Sequence, residues 1–200
     1  MSSLNLKFSI NTANSVMRVF TVPAPIINRL PSNIAFVSYD VTKGGEVYYN
    51  DRVAIPERFD DPTPYLGYLN QWLTAMAAAT PALTVKQALA IRLALLDVLY
   101  GINRQMPFTV SISSGIFAFD PSDLAVSRYF ASVTNLSSVG LIPLGLAVPI
   151  TLTAADLQNV AGAFNEHDLK VLQTYAQKKA ALSALTTVTA LIAYDVTTGW

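Results

Sequence analysis

The chain of 200 residues has no cysteine and one histidine, His167. The first absence excludes disulfide frameworks, thiol nucleophiles, iron–sulfur clusters and thiolate zinc sites. The second excludes chemistry that needs two imidazoles, such as the HExxH helix of zinc hydrolases. Charge is scarce as well. Thirteen basic and thirteen acidic side chains make up 13% of the chain, about half the roughly 25% of an ordinary globular protein. Their formal sum is zero, so no basic field exists to attract nucleic acid or an anionic membrane. The densest cations, Lys170, Lys178 and Lys179, share their segment with Glu166 and Asp168 and read as a solvated helix face. No GxGxxG or GxxxxGK[ST] run occurs, and Gly44-Gly45 is too short to cradle a phosphate. Pro143 and Pro149 interrupt the apolar run of Leu141–Leu152, so no segment has the length of a membrane span. Met1–Ile10 lacks the basic-then-apolar order of a secretory leader, so synthesis in the cytoplasm is expected.

Apolar material is plentiful, at 52%. A core of real size is therefore available, and neutral polar residues must cover much of the surface. Such a weakly charged chain is biased towards an assembly that hides part of it. Leu4, Leu6, Phe8 and Ile10 alternate with polar residues and predict a half-buried strand. Val16–Val22 and Ile34–Val41 are further strands, separated by the proline-rich stretch Pro23–Pro31. Lys43-Gly44-Gly45 predicts a turn into Glu46–Tyr49. Asp60, Asp61, Pro62 and Pro64 mark a break.

Four helix starts follow. Thr63-Pro64 predicts a capped helix to about Ala79, and Thr84-Val85-Lys86-Gln87 a capping box opening a helix to about Gly101. Asp120-Pro121-Ser122-Asp123 predicts a shorter helix to about Phe130. Thr153 and Asp156, with Leu152 and Leu157 in the staple positions, open an amphipathic helix of about 30 residues. A hairpin is expected over Phe108–Phe119 and a strand over Ala190–Val196. Tyr194-Asp195-Val196-Thr197 repeats Tyr39-Asp40-Val41-Thr42, which we read as similar strand-end chemistry rather than duplication. The class expected is α+β: short N-terminal strands with a hairpin, then a mainly helical part with a long helix near the C-terminus. Residues 1–62 form the β-rich docking region and residues 63–200 the helical domain.

Candidate chemistry is thin. His167 lies between Glu166 and Asp168, no G-x-S-x-G elbow accompanies it, and it reads as solvated or locally paired. Asp60-Asp61 has no spaced third ligand and reads as a loop before a helix. A carboxylate enzyme acting on cell-wall glycans would have to draw on Glu46, Glu57, Asp60 and Asp61 facing across a cleft. We expect no catalytic residue, no cofactor and no metal. The candidate interface anchors are Tyr48, Tyr49, Trp72 and the terminal Trp200, since aromatics anchor contacts between proteins.

Leu152-Thr153-Ala154-Ala155-Asp156-Leu157 is followed by Val160, Ala161 and Ala163, then His167, then an alanine- and lysine-rich helix over Gln173–Leu182. With the alanine-rich Gln87–Leu96 and the acidic start at Asp120–Asp123, these make Thr84–Leu185 resemble an uncharacterised phage domain family from tail-fibre and baseplate gene regions. Where that family has a tryptophan and a polar turn before the Leu-Thr-Ala-Ala-Asp segment, this chain has Leu146–Ile150. The resemblance implies a non-catalytic virion component: a tail, baseplate or fibre-attachment protein. Its partners would be other tail proteins and its own copies, as a trimer or hexamer, without nucleic acid or membrane. The alternative is a tail-fibre assembly chaperone or a carbohydrate- or receptor-binding module, which would gather Tyr39, Tyr48, Tyr49 and Trp72 in an exposed groove.

Overall fold

The computed structural model describes residues 6–20, 22–28, 30–50, 56–79, 83–121 and 139–200. Antiparallel strands come first and helices follow, the α+β class expected. Two units of the chain pack separately: Met1–Val98 with Lys178–Thr198, and Leu99–Gln177 with Gly199–Trp200.

The first unit contains β1 (Lys7–Asn11), β2 (Val16–Val19), β3 (Val22–Pro25), β4 (Ile34–Asp40), β5 (Gly44–Tyr49) and β6 (Glu57–Phe59). They form one antiparallel sheet in the order β3-β2-β1-β4-β5-β6. Alternation decides its faces. Phe8 stands opposite Val19 and Tyr39, and Ile10 opposite Met17 and Val37, all of them buried. The other face carries a polar row: Arg18, Ser9, Ser38, Glu46 and Arg58 are successive cross-strand neighbours.

The expected strand Val16–Val22 is in fact two. Val19 pairs with Val22 across a tight turn, and Phe20 enters it at φ 56°, a left-handed conformation that few non-glycine residues adopt. The returning strand β3 lies inside the proline-rich stretch that was expected to separate strands. Pro23 and Pro25 are tolerated because β3 is the edge of the sheet.

From the middle of the sheet towards the opposite edge, aromatic rings run in sequence from Phe8 to Tyr39, Phe59 and Tyr65, with centroids 5.3, 5.9 and 5.1 Å apart. Phe59 lies over Gly45, its cross-strand partner. A Cβ at Gly45 would sit 2.1 Å from Cζ of that ring. The glycine is required by this close approach.

A 3-10 turn, Thr63–Tyr65, leads into α1 (Leu66–Ala77). The expected Thr63 cap does not form. Instead, Asp61 accepts from the Thr63 backbone N–H at 2.8 Å, which explains the adjacent acids as a turn before the helix. Leu66, Leu69, Trp72 and Leu73 form the buried stripe of α1. Gln71 fixes the loop after β3 by accepting from the N–H groups of Ile27 and Asn28, both at 2.9 Å. Helix α2 (Val85–Arg104) opens with the expected reciprocal box: Gln87 N–H donates to Thr84 Oγ1, and Thr84 N–H to Gln87 Oε1. It passes Gly101 rather than stopping there, since a lone helical glycine costs only about 1 kcal/mol. Its stripe of Ala88, Ile91, Leu95, Val98 and Leu99 is buried.

The second unit contains β7 (Phe108–Ile112) paired with β8 (Gly115–Phe119), and β9 (Val139–Leu141) paired with β10 (Ile150–Leu152). Their apolar faces share a core with Leu157 and Val160 of α3 (Ala154–Ala184), the long helix expected. The short helix expected from Asp120 to about Phe130 lies outside the described residues beyond Pro121.

Back in the first unit, the tail corrects an expectation. Residues 190–196 are not a strand: α4 spans Val188–Ala193. Thr187 caps it by accepting from Ala190 N–H at 3.1 Å, and Leu191 is buried. An apolar run of this length fits either period, and here the cap decides.

Gly45→Ala is expected to lower unfolding free energy by about 1–3 kcal/mol, the cost of overpacking a site whose neighbour cannot yield. Urea denaturation checks this; an unchanged midpoint would mean that Phe59 swings away freely.

Candidate functional site

The polar groups withdrawn from water are the natural places to look for chemistry, because a buried charge must be answered. Two stand out among the described residues: Asp156 and Arg92.

Asp156 occupies the third helical position of α3. Its carboxylate accepts from Thr153 N–H at 3.0 Å and Thr153 Oγ1 at 2.7 Å, while its own N–H donates to Thr153 Oγ1 at 3.2 Å. That is a capping box with aspartate in the usual glutamate position. The same carboxylate also accepts from Ser113 N–H at 2.7 Å and Ser113 Oγ at 2.8 Å, in the turn between β7 and β8. One side chain thus caps a helix and clamps a hairpin turn. The Ser113 backbone bond and the Thr153 bonds hold its pKa well below the ordinary carboxylate range. The carboxylate is thereby held in its ionised form by structural donors.

Arg92, on α2, is 2% exposed. Its guanidinium donates to Asn70 Oδ1 of α1 at 2.8 Å and to the backbone oxygen of Tyr194 just after α4. Nε has no partner among the described residues. Burial lowers the guanidinium pKa and the nearby Asp195 carboxylate opposes the shift. Asp195 is itself held by Thr197 and Thr198, whose hydroxyls donate at 2.6 Å, and its pKa is depressed by those bonds. In the repeated tetrapeptide, Asp40 takes the same bonds from the Thr42 N–H and hydroxyl, at 2.9 and 2.7 Å. The repeat is a shared local turn, at a strand end in one case and a helix end in the other.

His167 is partly buried. Its ring stacks on Phe108, 6.1 Å between centroids, and its Nε2 is buried without a hydrogen-bond partner among the described residues. Asp168 beside it pairs with Arg104 at 2.6 Å.

Of the acids considered for glycan chemistry, Glu46, Glu57 and Asp61 have structural partners. Glu46 accepts from the Tyr48 hydroxyl at 2.8 Å, which raises the Tyr48 pKa, and Glu57 accepts from the Tyr49 hydroxyl at 2.9 Å. Burial, and after it the nearby Asp60 and Asp61 carboxylates, push the Tyr39 pKa up to about 12. Among the described residues, no three histidine or acidic side chains converge as a metal site. The described helices include none long and apolar enough to cross a membrane.

The four candidate anchors differ in exposure. Trp72 is 2% exposed inside the first unit, whereas Tyr48, Tyr49 and Trp200 are half-buried. Tyr39 is also buried, so the aromatic groove imagined for a sugar is not assembled from these residues. Sequence reasoning missed a different surface, the loop between β9 and β10, whose apolar side chains point outward. A charge-free stretch bounded by prolines was its signal.

Asp156→Asn is expected to lower the melting temperature at pH 7. The native carboxylate pKa is depressed, so its stabilisation is complete above the unfolded value of roughly 3.9 and fades as pH falls below it. The melting temperatures of wild type and variant should therefore converge between about pH 4 and pH 2; a constant gap would refute the linkage. Arg92→Ala is expected to cost about 3 kcal/mol in urea unfolding, because it leaves a void and strips Asn70 and Tyr194 of a donor. A loss below about 1 kcal/mol would show that water replaces the guanidinium.

Compared with known proteins, the chain matches no family model, no curated protein and no solved structure, and its function is read from its own residues.

Proposed function

We propose that this chain is a non-catalytic structural component of a bacteriophage virion, acting in the tail, the baseplate or the attachment of a fibre. The observation that carries the reading is the Leu152–Leu157 segment, where the resemblance to the phage domain family is centred. Its threonine and aspartate form the box that starts a 31-residue helix, its two leucines are buried in one core, and Asp156 reaches the neighbouring hairpin. The residues that carry the resemblance are those that hold this unit together, as a structural module requires. Asp61, Asp156, Asp195 and the buried Arg92 are engaged in turns, caps and tethers, a use that suits a scaffold. Low charge and outward apolar side chains suit a protein that works among neighbours.

Mass spectrometry with copy-number estimation on purified particles of the encoding phage is the test. Recovery at three or six copies per particle is expected. Absence from particles despite expression during infection would overturn the virion role and favour an assembly chaperone.

A further inference from the structure

The first unit holds a cavity of about 240 Å³ between the end of β2, helix α1 and the first turns of α2. Val19, Trp72 and Ile91 are the buried part of its lining, with Leu83 beside them. Phe20 and Ala90 are half-buried and Gln87 is exposed, which places these three at the rim.

The chemistry of the lining is narrow. Two aromatic rings and four aliphatic side chains face the space, and Gln87 is the one polar side chain among the described lining residues. Its Oε1 accepts from the Thr84 N–H and hydroxyl, at 3.0 and 2.8 Å, so its amide N–H groups are what it has left to offer. None of these residues is charged, so an ion entering here would lose its hydration without compensation. An apolar hollow with one placed polar group is the usual form of a small-molecule site.

Phe20 stands at the rim against its own backbone preference. Its φ of 56° is left-handed, which crowds Cβ against the following carbonyl. Its N–H donates to Lys7 O at 2.9 Å, which pins the residue in that conformation. Strain kept in place by the surrounding structure is a recurring feature of ligand clamps.

We infer that this cavity binds a small uncharged aromatic molecule, whose rings pack among Phe20, Trp72 and Ile91 and whose one acceptor atom meets the amide of Gln87. Size selects the ligand. An apolar cavity of roughly 150 Å³ takes up benzene, so one of about 240 Å³ has room for two fused rings. The aromatic lining favours a rigid ring over an acyl chain, because rings gain from offset or edge-on contact and a chain loses rotor freedom on entering. The inference goes beyond the virion role, which concerns assembly and requires no ligand.

Naphthol is a suitable probe. Calorimetric titration of the full chain is expected to show one site with a dissociation constant on the order of 100 µM. Naphthalenesulfonate, of similar shape but charged, should bind at least tenfold more weakly. The chain has two tryptophans, which report on place. In proton–nitrogen correlation spectra the indole signal of Trp72 should move with the titration while that of Trp200 stays. Ala90→Leu fills the cavity with a good helix former, and Phe20→Gly removes the rim ring at a φ that glycine adopts freely. Each should weaken naphthol binding at least tenfold in a chain that still melts cooperatively, and either variant suffices if the other fails to fold. No saturable binding up to millimolar naphthol would overturn the inference. So would equal binding of the sulfonate, equal movement of both indole signals, or undiminished affinity in a folded variant.

Discussion

A guanidinium taken out of water must find its acceptors inside the protein, and it cannot escape by losing its proton. Arg92 meets this constraint with an amide oxygen from α1 and a backbone oxygen from the segment after α4, two places far apart in the chain. The first unit depends on this arrangement. The segment beyond α3 is short, and of its large apolar residues Leu191 and Val196 are the buried ones, so burial alone gives it modest adhesion. With Arg92 beneath it, displacing the tail would leave a cation buried without its carbonyl, and that penalty holds the tail in place.

The second unit solves the equivalent problem with the opposite charge. Asp156 is buried, but four donors answer its two oxygens, from Thr153 and Ser113. A helix start is an electrostatically suitable site for a carboxylate, because unpaired N–H groups concentrate there. The serine contacts convert that local preference into a tertiary restraint on the β7–β8 turn. In a chain with so few charges, each buried one joins parts of the fold that local hydrogen bonding would leave separate.

Apolar surface is distributed by the same logic. Most large apolar side chains lie on the inner face of the sheet, on the helix stripes or in the Phe108 core. The β9–β10 turn departs from it, since its backbone geometry fixes Leu144 and Leu146 outward whatever their preference for burial. A structural role in an assembly would use that exposure, whereas an isolated monomer would only bear its cost in solubility.

The sequence by itself determined what depends on neighbours along the chain. It specified the alternation of β1, the Gly44-Gly45 turn, the boxes at Thr84 and Thr153, the long helix and the local turns of Tyr39–Thr42 and Tyr194–Thr197. Each rests on hydrogen bonds or side-chain periods within a few residues. Tertiary structure decided what those patterns leave open. The run through Val16–Val22 became two strands because Val19 could pair with Val22, and residues 190–196 became helix and turn because Arg92 and the Thr187 cap held them so. It also decided that Trp72 would serve the core rather than a surface, and that His167 would lie on Phe108. Apolar side chains carry no address: burial rewards any of them, and only the packing of distant segments chooses which are covered and which remain outside.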